Sequence, residues 1–129
     1  MSRVEESIDW RAEVLDWDAL LHRCMGRTDL ADRVVAQYRQ NLEASSDAIC
    51  RAVESADTDE IARLAHRLKG TSLTVSASAV ADAAACLEAS AQAGAMAEVA
   101  LALEALQIAR DRFVEAVSSM PTEDEKCRM

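Results

Sequence analysis

The sequence predicts an all-α fold: an antiparallel four-helix bundle preceded by a short extra helix. Three observations carry that expectation. Alanine, the strongest helix former, supplies 26 of the 129 residues. The chain holds three glycines and one proline, whereas a sandwich or barrel needs a turn signal every ~8–12 residues. Apolar residues recur at three- and four-residue spacing, and a 50% hydrophobic share is too high for a disordered chain.

Residues 1–14 read as a charged, irregular N-terminal extension with Trp10 and Val14 as anchors, and residues 15–118 as the folded domain. Asp16 is placed to cap a short helix carrying Trp17, Leu20, Leu21 and Cys24 on one side, ended by Gly26. Thr28 or Asp29 opens a longer helix with Val34, Tyr38, Leu42, Ser45, Ile49 and Ala52/Val53 on its inner face, and a break or bend is expected near Gln40–Asn41. Asp57 with Glu60 resembles a capping box and starts a third helix. Its stripe is Ile61, Leu64, Ala65, Leu68, Ser72 and Val75. A fourth helix begins near Ser76 or Ser78, turns Val80, Ala83, Ala84, Leu87 and Ala91 inward, and ends at Gly94. The fifth runs from about Ala95 to Ser118 with Met96, Val99, Leu103, Leu106, Phe113 and Val117 inward. Leu101 and Ile108 lie off that stripe. They widen the buried face, with Arg110 snorkelling at its rim, or else form a dimer contact. Pro121 and the charged run after it make residues 119–129 a disordered acidic tail.

Bulk charge narrows the function classes. A net charge of −9 argues against binding nucleic acid, whose phosphates demand Lys and Arg. No uncharged apolar run approaches the ~20 residues that cross a bilayer, and the N-terminus is no signal peptide, so a cytoplasmic protein without a membrane partner is expected. Cys24, Cys50, Cys86 and Cys127 are widely spaced, which in a reducing compartment means free thiols, with Cys86 in or near the core. Two separated histidines and no CxxC pair offer no metal site, and no cofactor is implied.

Gly70 is the anomaly. It falls inside the third helix, where glycine costs about 1 kcal/mol relative to alanine. With the stripe centred between Leu68 and Ser72, His66 points away from the core, on a strip with Ala62, Lys69, Gly70 and Leu73. Small residues one turn to either side leave the imidazole open to another protein's surface, and Lys69 lies within reach of anything attached to the ring. A free imidazole, with a pKa near about 6.5, is largely neutral at pH 7 and nucleophilic. Hydrolysis would want a second group to orient the ring, and the strip offers no partner acid. Arg63, Arg67 and Lys69 make the strip locally basic, which suits an incoming phosphoryl group and points to covalent phosphorylation of His66.

The run Ala65-His66-Arg67-Leu68-Lys69-Gly70-Thr71-Ser72, followed by Cys86-Leu87-Glu88, resembles the histidine phosphotransfer (HPt) domain of multistep phosphorelays. Leu15-Asp16-Trp17, Leu20-Leu21, Gly26, Asp29-Leu30 and Tyr38 are similar to its opening, so the resemblance spans roughly residues 15–117. It implies a four-helix bundle whose exposed histidine takes a phosphoryl group from the aspartyl phosphate of one receiver domain and passes it to another. Carried over, His66 is the phosphoacceptor, Lys69 the charge partner and Gly70 the clearance residue, with Ala62, Arg63, Arg67 and Leu73 around them as the docking face. The implied partners are response-regulator receiver domains and a hybrid sensor histidine kinase. The chain is expected to act as a monomer and not as an enzyme, since it lacks a Gly-rich nucleotide loop.

One residue departs from the family pattern. Ten residues after the histidine the family usually has glycine, and here Ser76 stands, either capping the next helix or altering the joint beneath the docking face. That departure leans toward a second reading, a bundle that docks and regulates a response regulator or sensor kinase without carrying phosphate. A third, a phosphohistidine-dependent phosphatase, wants a general acid or water-positioning group beside His66.

Overall fold

A computed structural model of the chain describes residues 14–118, which contain five helices and no strand. They are α1 (Trp17–Arg23), α2 (Thr28–Glu54), α3 (Thr58–Thr74), α4 (Ser78–Gln92) and α5 (Met96–Ser118). The extension and tail expected before residue 14 and after 118, with Trp10 and Cys127, lie outside the described residues.

The four long helices close a ring in which α2 and α4 each pack on both α3 and α5. Their stripes meet in one core built on Leu42, Ile49, Ile61, Leu68, Leu87 and Leu106. Alanines at 81, 83, 84 and 91 are buried on α4, so this helix approaches its neighbours with little side-chain bulk. Deep in the core, Tyr38 of α2 meets Phe113 of α5 edge-on, ring centroids 5.0 Å apart. Its hydroxyl shares a 2.6 Å hydrogen bond with that of Ser72 on α3. Three helices are thus fixed about one aromatic ring, and the rotation of α3 about its own axis is fixed with them.

Each of the four corners between helices is the same turn. The amide two residues beyond the cap donates to a carbonyl in the last turn: Gly26 to Leu21 (2.9 Å), Asp57 to Ala52 (3.1 Å), Ala77 to Ser72 (2.8 Å) and Ala95 to Ser90 (3.0 Å). The residue before each donor must be left-handed, and φ is +58° at Met25, +53° at Ala56, +64° at Ser76 and +71° at Gly94. Only the last is the glycine such a turn favours. In the first corner Gly26, following Met25, is itself left-handed at +79° and ends α1 as expected. Ser76 is not a cap: Ala77 precedes α4 without a side-chain hydrogen bond. The Ser76 carbonyl accepts the Asp16 amide at 3.0 Å, and Arg23 donates to the carbonyls of Leu73 (2.9 Å) and Thr74, so α1 is clamped onto the end of α3.

Several expectations need correcting. α2 runs unbroken through Gln40–Asn41, because nothing there interrupts the helical ladder. Its stripe passes through Val35 and Ser46, one position on from Val34 and Ser45, in register with Ala31, Tyr38 and Ala52. Leu64, Leu103, Met96 and Val117 pack on the core but are only partly buried. Half of the capping box forms: Asp57 accepts the Glu60 amide at 3.2 Å, while the Glu60 side chain turns to Arg63. Cys86 is exposed, since burying its neighbour Leu87 rotates it about 100° off the stripe. Leu101 and Ile108 are exposed too, so the buried face of α5 is narrow.

Candidate functional site

With Ile61, Ala65, Leu68 and Ser72 buried, α3 has no freedom over which face it shows to solvent. His66 stands on the outer side with its side chain 66% exposed. Arg63, Arg67, Gly70 and Leu73 are exposed on the same side, and Ala62 is half-buried against the core. The structure therefore brings together the residues picked out on α3.

What sequence reasoning missed is Glu88. From α4 its carboxylate accepts from His66 Nδ1 at 3.0 Å through one oxygen and meets Lys69 Nζ at 3.2 Å through the other. The histidine thus has its partner acid, and that acid comes from the neighbouring helix instead of the strip itself. Packing α4 tightly on α3 and turning Leu87 inward set Glu88 on the shoulder that faces His66 and Lys69. Partial burial pushes the Glu88 carboxyl up, but the Lys69 ammonium and the His66 ring outweigh it and hold the carboxyl below its ordinary value.

An ionised carboxylate only accepts hydrogen bonds, so the proton of the His66–Glu88 contact belongs to Nδ1. In the neutral ring the lone pair then sits on Nε2, which has no hydrogen-bond partner among the described residues. The site is a nucleophilic nitrogen turned to solvent, a carboxylate ready to balance positive charge on the ring, and an ammonium one turn away.

The basic character of the strip is less than the sequence suggested. Arg63 is engaged by Glu60 at 2.6 Å and Lys69 by Glu88, which leaves Arg67 without an ion pair among the described residues. Gly70 has no steric reason within the fold: a Cβ built on it meets no atom within 4 Å. On the other flank of α3 a mostly apolar groove of roughly 530 Å³, lined by Leu30, Val34, Tyr38, Thr71, Thr74 and Val75, separates it from α2. Among the described residues no group of three or more His, Cys, Asp or Glu could hold a metal ion. No described helix is long and apolar enough to cross a membrane.

An all-helical domain presenting an oriented histidine on a helix face is the class these features define. The family model described as the Hpt domain matches residues 33–118, and the chain belongs to that family, whose members carry phosphohistidine in phosphorelays. No curated protein matches in sequence. Among solved structures, the crystal structure of the HPT domain from a sensor hybrid histidine kinase of Shewanella aligns with a TM-score of 0.65 at 16% identity, over 86% of this chain and 99% of that one. At that identity the likeness concerns the fold.

Proposed function

We propose that this protein relays a phosphoryl group between receiver-domain aspartates through phosphohistidine at His66. The transfer unit is residues 15–118, with the ring of four helices as an antiparallel bundle and α1 as the extra helix. The observation that carries this reading is the Glu88–His66–Lys69 arrangement, which leaves Nε2 as the open nucleophile of an exposed ring.

In the forward step the Nε2 lone pair attacks the phosphorus of a receiver's aspartyl phosphate. The P–O bond breaks and its electron pair returns to the receiver carboxylate. The ring keeps its Nδ1 proton and becomes positive, and Glu88 balances that charge at 3.0 Å. Lys69, 32% exposed, is placed to exchange Glu88 for the arriving phosphoryl oxygens. In the second step an aspartate oxygen of the next receiver attacks phosphorus and the P–N pair returns to Nε2. Electrons and protons balance with no co-reactant from this chain, so its role is that of a carrier, not a catalyst.

Docking falls to Ala62, Arg63, Arg67 and Leu73, with Gly70 leaving room for a receiver's surface. The partners are receiver domains and a hybrid sensor kinase. The reading in which the bundle regulates without carrying phosphate rested on Ser76. That residue holds the left-handed conformation a glycine would serve, so it no longer favours that alternative. Glu88 lies on Nδ1, away from the phosphorus, where it orients the ring instead of a hydrolytic water. Incubation with a phosphorylated receiver is expected to label the protein with an acid-labile, base-stable phosphate. Labelling of His66→Gln to the same level would overturn the assignment, and rapid loss of the label from the isolated protein would favour a phosphatase.

A further inference from the structure

The four large apolar side chains exposed among the described residues fall in two places. Met25 and Leu73 stand where Arg23 ties α1 to the end of α3, beside the docking face already assigned. Leu101 and Ile108, 67% and 51% exposed, stand apart on α5. Seven residues are about two helical turns, so both point the same way, and exposed Ala97 and Ala105 extend the stripe. Within the ring, α3 and α5 are the diagonal pair, which puts this stripe on the side of the molecule away from His66.

Its border is acidic. Glu104 is exposed beside it, and where α2 meets α5 a groove of roughly 600 Å³ is lined by Glu43, Asp47, Arg110, Asp111 and Glu115. Arg110 is taken by Asp111 at 3.1 Å and Glu43 is met by Arg39 at 3.9 Å, which leaves Asp47 and Glu115 as the groove's carboxylates without an ion pair among the described residues, while exposed Arg112 ends the stripe one turn beyond Ile108. A second copy is a poor occupant, because each stripe brings Glu104 and Glu115 against the single guanidinium of Arg112, and two chains of net charge −9 repel.

We propose that this face docks a basic amphipathic helix of a partner protein. Its apolar side covers Leu101 and Ile108, and its lysines or arginines enter the carboxylate groove. Because the two faces are diagonal, such a partner holds the protein while His66 remains open to a receiver. The proposal stands whether or not His66 carries phosphate.

The test is an amide-resolved NMR titration of the full-length protein with three synthetic helical peptides. One has leucines at helical spacing flanked by lysines, the second has serines for the leucines, and the third has glutamates for the lysines. The first is expected to bind saturably, shifting Leu101, Ile108 and Glu115 but not His66, with the other two at least about tenfold weaker. Leu101→Ser with Ile108→Ser, both at exposed positions, and separately Asp47→Asn with Glu115→Gln, should each weaken it about tenfold, while His66→Gln leaves it unchanged. The proposal falls if the shifts centre on α3, if the variants bind as tightly, or if the serine peptide binds as well as the leucine one. It also falls if the free protein dimerises through Leu101.

Discussion

Replacing Gly70 by alanine separates what the fold needs from what a partner needs. The added Cβ meets no atom within 4 Å, so it brings no strain. Gly70 lies inside α3, where alanine is better than glycine by about 0.8–1.0 kcal/mol, largely through the smaller conformational freedom of the unfolded chain. Gly70→Ala should therefore stabilise the protein by about 1 kcal/mol and raise its melting temperature by roughly 4 °C for a domain of this size. Urea and thermal unfolding followed by far-UV circular dichroism measure both. The same methyl group stands one turn from His66, on the side a receiver would approach under the proposed relay. A misplacement of about 1 Å at a reacting centre costs up to roughly a hundredfold in rate. Transfer from a phosphorylated receiver should fall by about ten- to a hundredfold, while labelling by a small donor such as phosphoramidate is unchanged. A more stable variant that exchanges phosphate with receivers at the native rate would refute the clearance role, and a less stable one would refute the packing argument.

Ser76→Gly should stabilise the protein by about 1 kcal/mol, because Ser76 holds a left-handed φ of +64°, and Gly94→Ala at +71° should cost a similar amount; unfolding curves check both, and an unchanged pair would show that these corners are unstrained. Tyr38 is the single tyrosine, so ultraviolet absorbance reports its ionisation alone. Burial pushes its phenol up from 10.0 to about 12, against a smaller opposing effect of Ser72. Its contribution to stability is therefore complete below pH 10 and is lost as pH rises toward 12. Tyr38→Phe should remove that alkaline loss and, by leaving the buried Ser72 hydroxyl without its partner, cost about 1–3 kcal/mol at neutral pH. The Glu88 carboxyl is depressed from 4.5, so its ionic contribution is present above that pH and lost as pH falls through the lower folded value. The stability gap between Glu88→Gln and the native protein should be widest near neutrality and close in acid, and phosphate uptake at His66 should fall roughly tenfold as the ring loses its fixed proton position.

Much of this was legible in the chain because it is governed by local rules. The stripes Ile61-Ala65-Leu68-Ser72 and Val80-Ala84-Leu87-Ala91 follow helical periodicity, and Asp16 and Asp57 cap where capping chemistry puts them. The outward placement of His66 needed only that first stripe. Glu88 was not legible as a partner, because nothing within α4 records which shoulder of α3 it packs against; that depends on how the two helices nest. The one-residue slip in α2 has a related cause. Val34 and Val35 are equally apolar, as Ser45 and Ser46 are equally polar, so only the contacts of Tyr38 with Ser72 and Phe113 decide which of each pair turns inward. Glycine marked two of the corners correctly, since Gly26 and Gly94 are both left-handed just past the helices they were expected to end. The other three of the five left-handed corner residues are Met25, Ala56 and Ser76, each strained, while Gly70 sits in regular helix with open space around it. A chain that omits glycine at three corners where its backbone would gain from one, yet keeps one beside an exposed histidine where its backbone would gain from alanine, has no reason within its own fold for that choice. On the proposed relay, that inversion makes the surface around His66, more than any feature of the core, the part of the molecule a partner would shape.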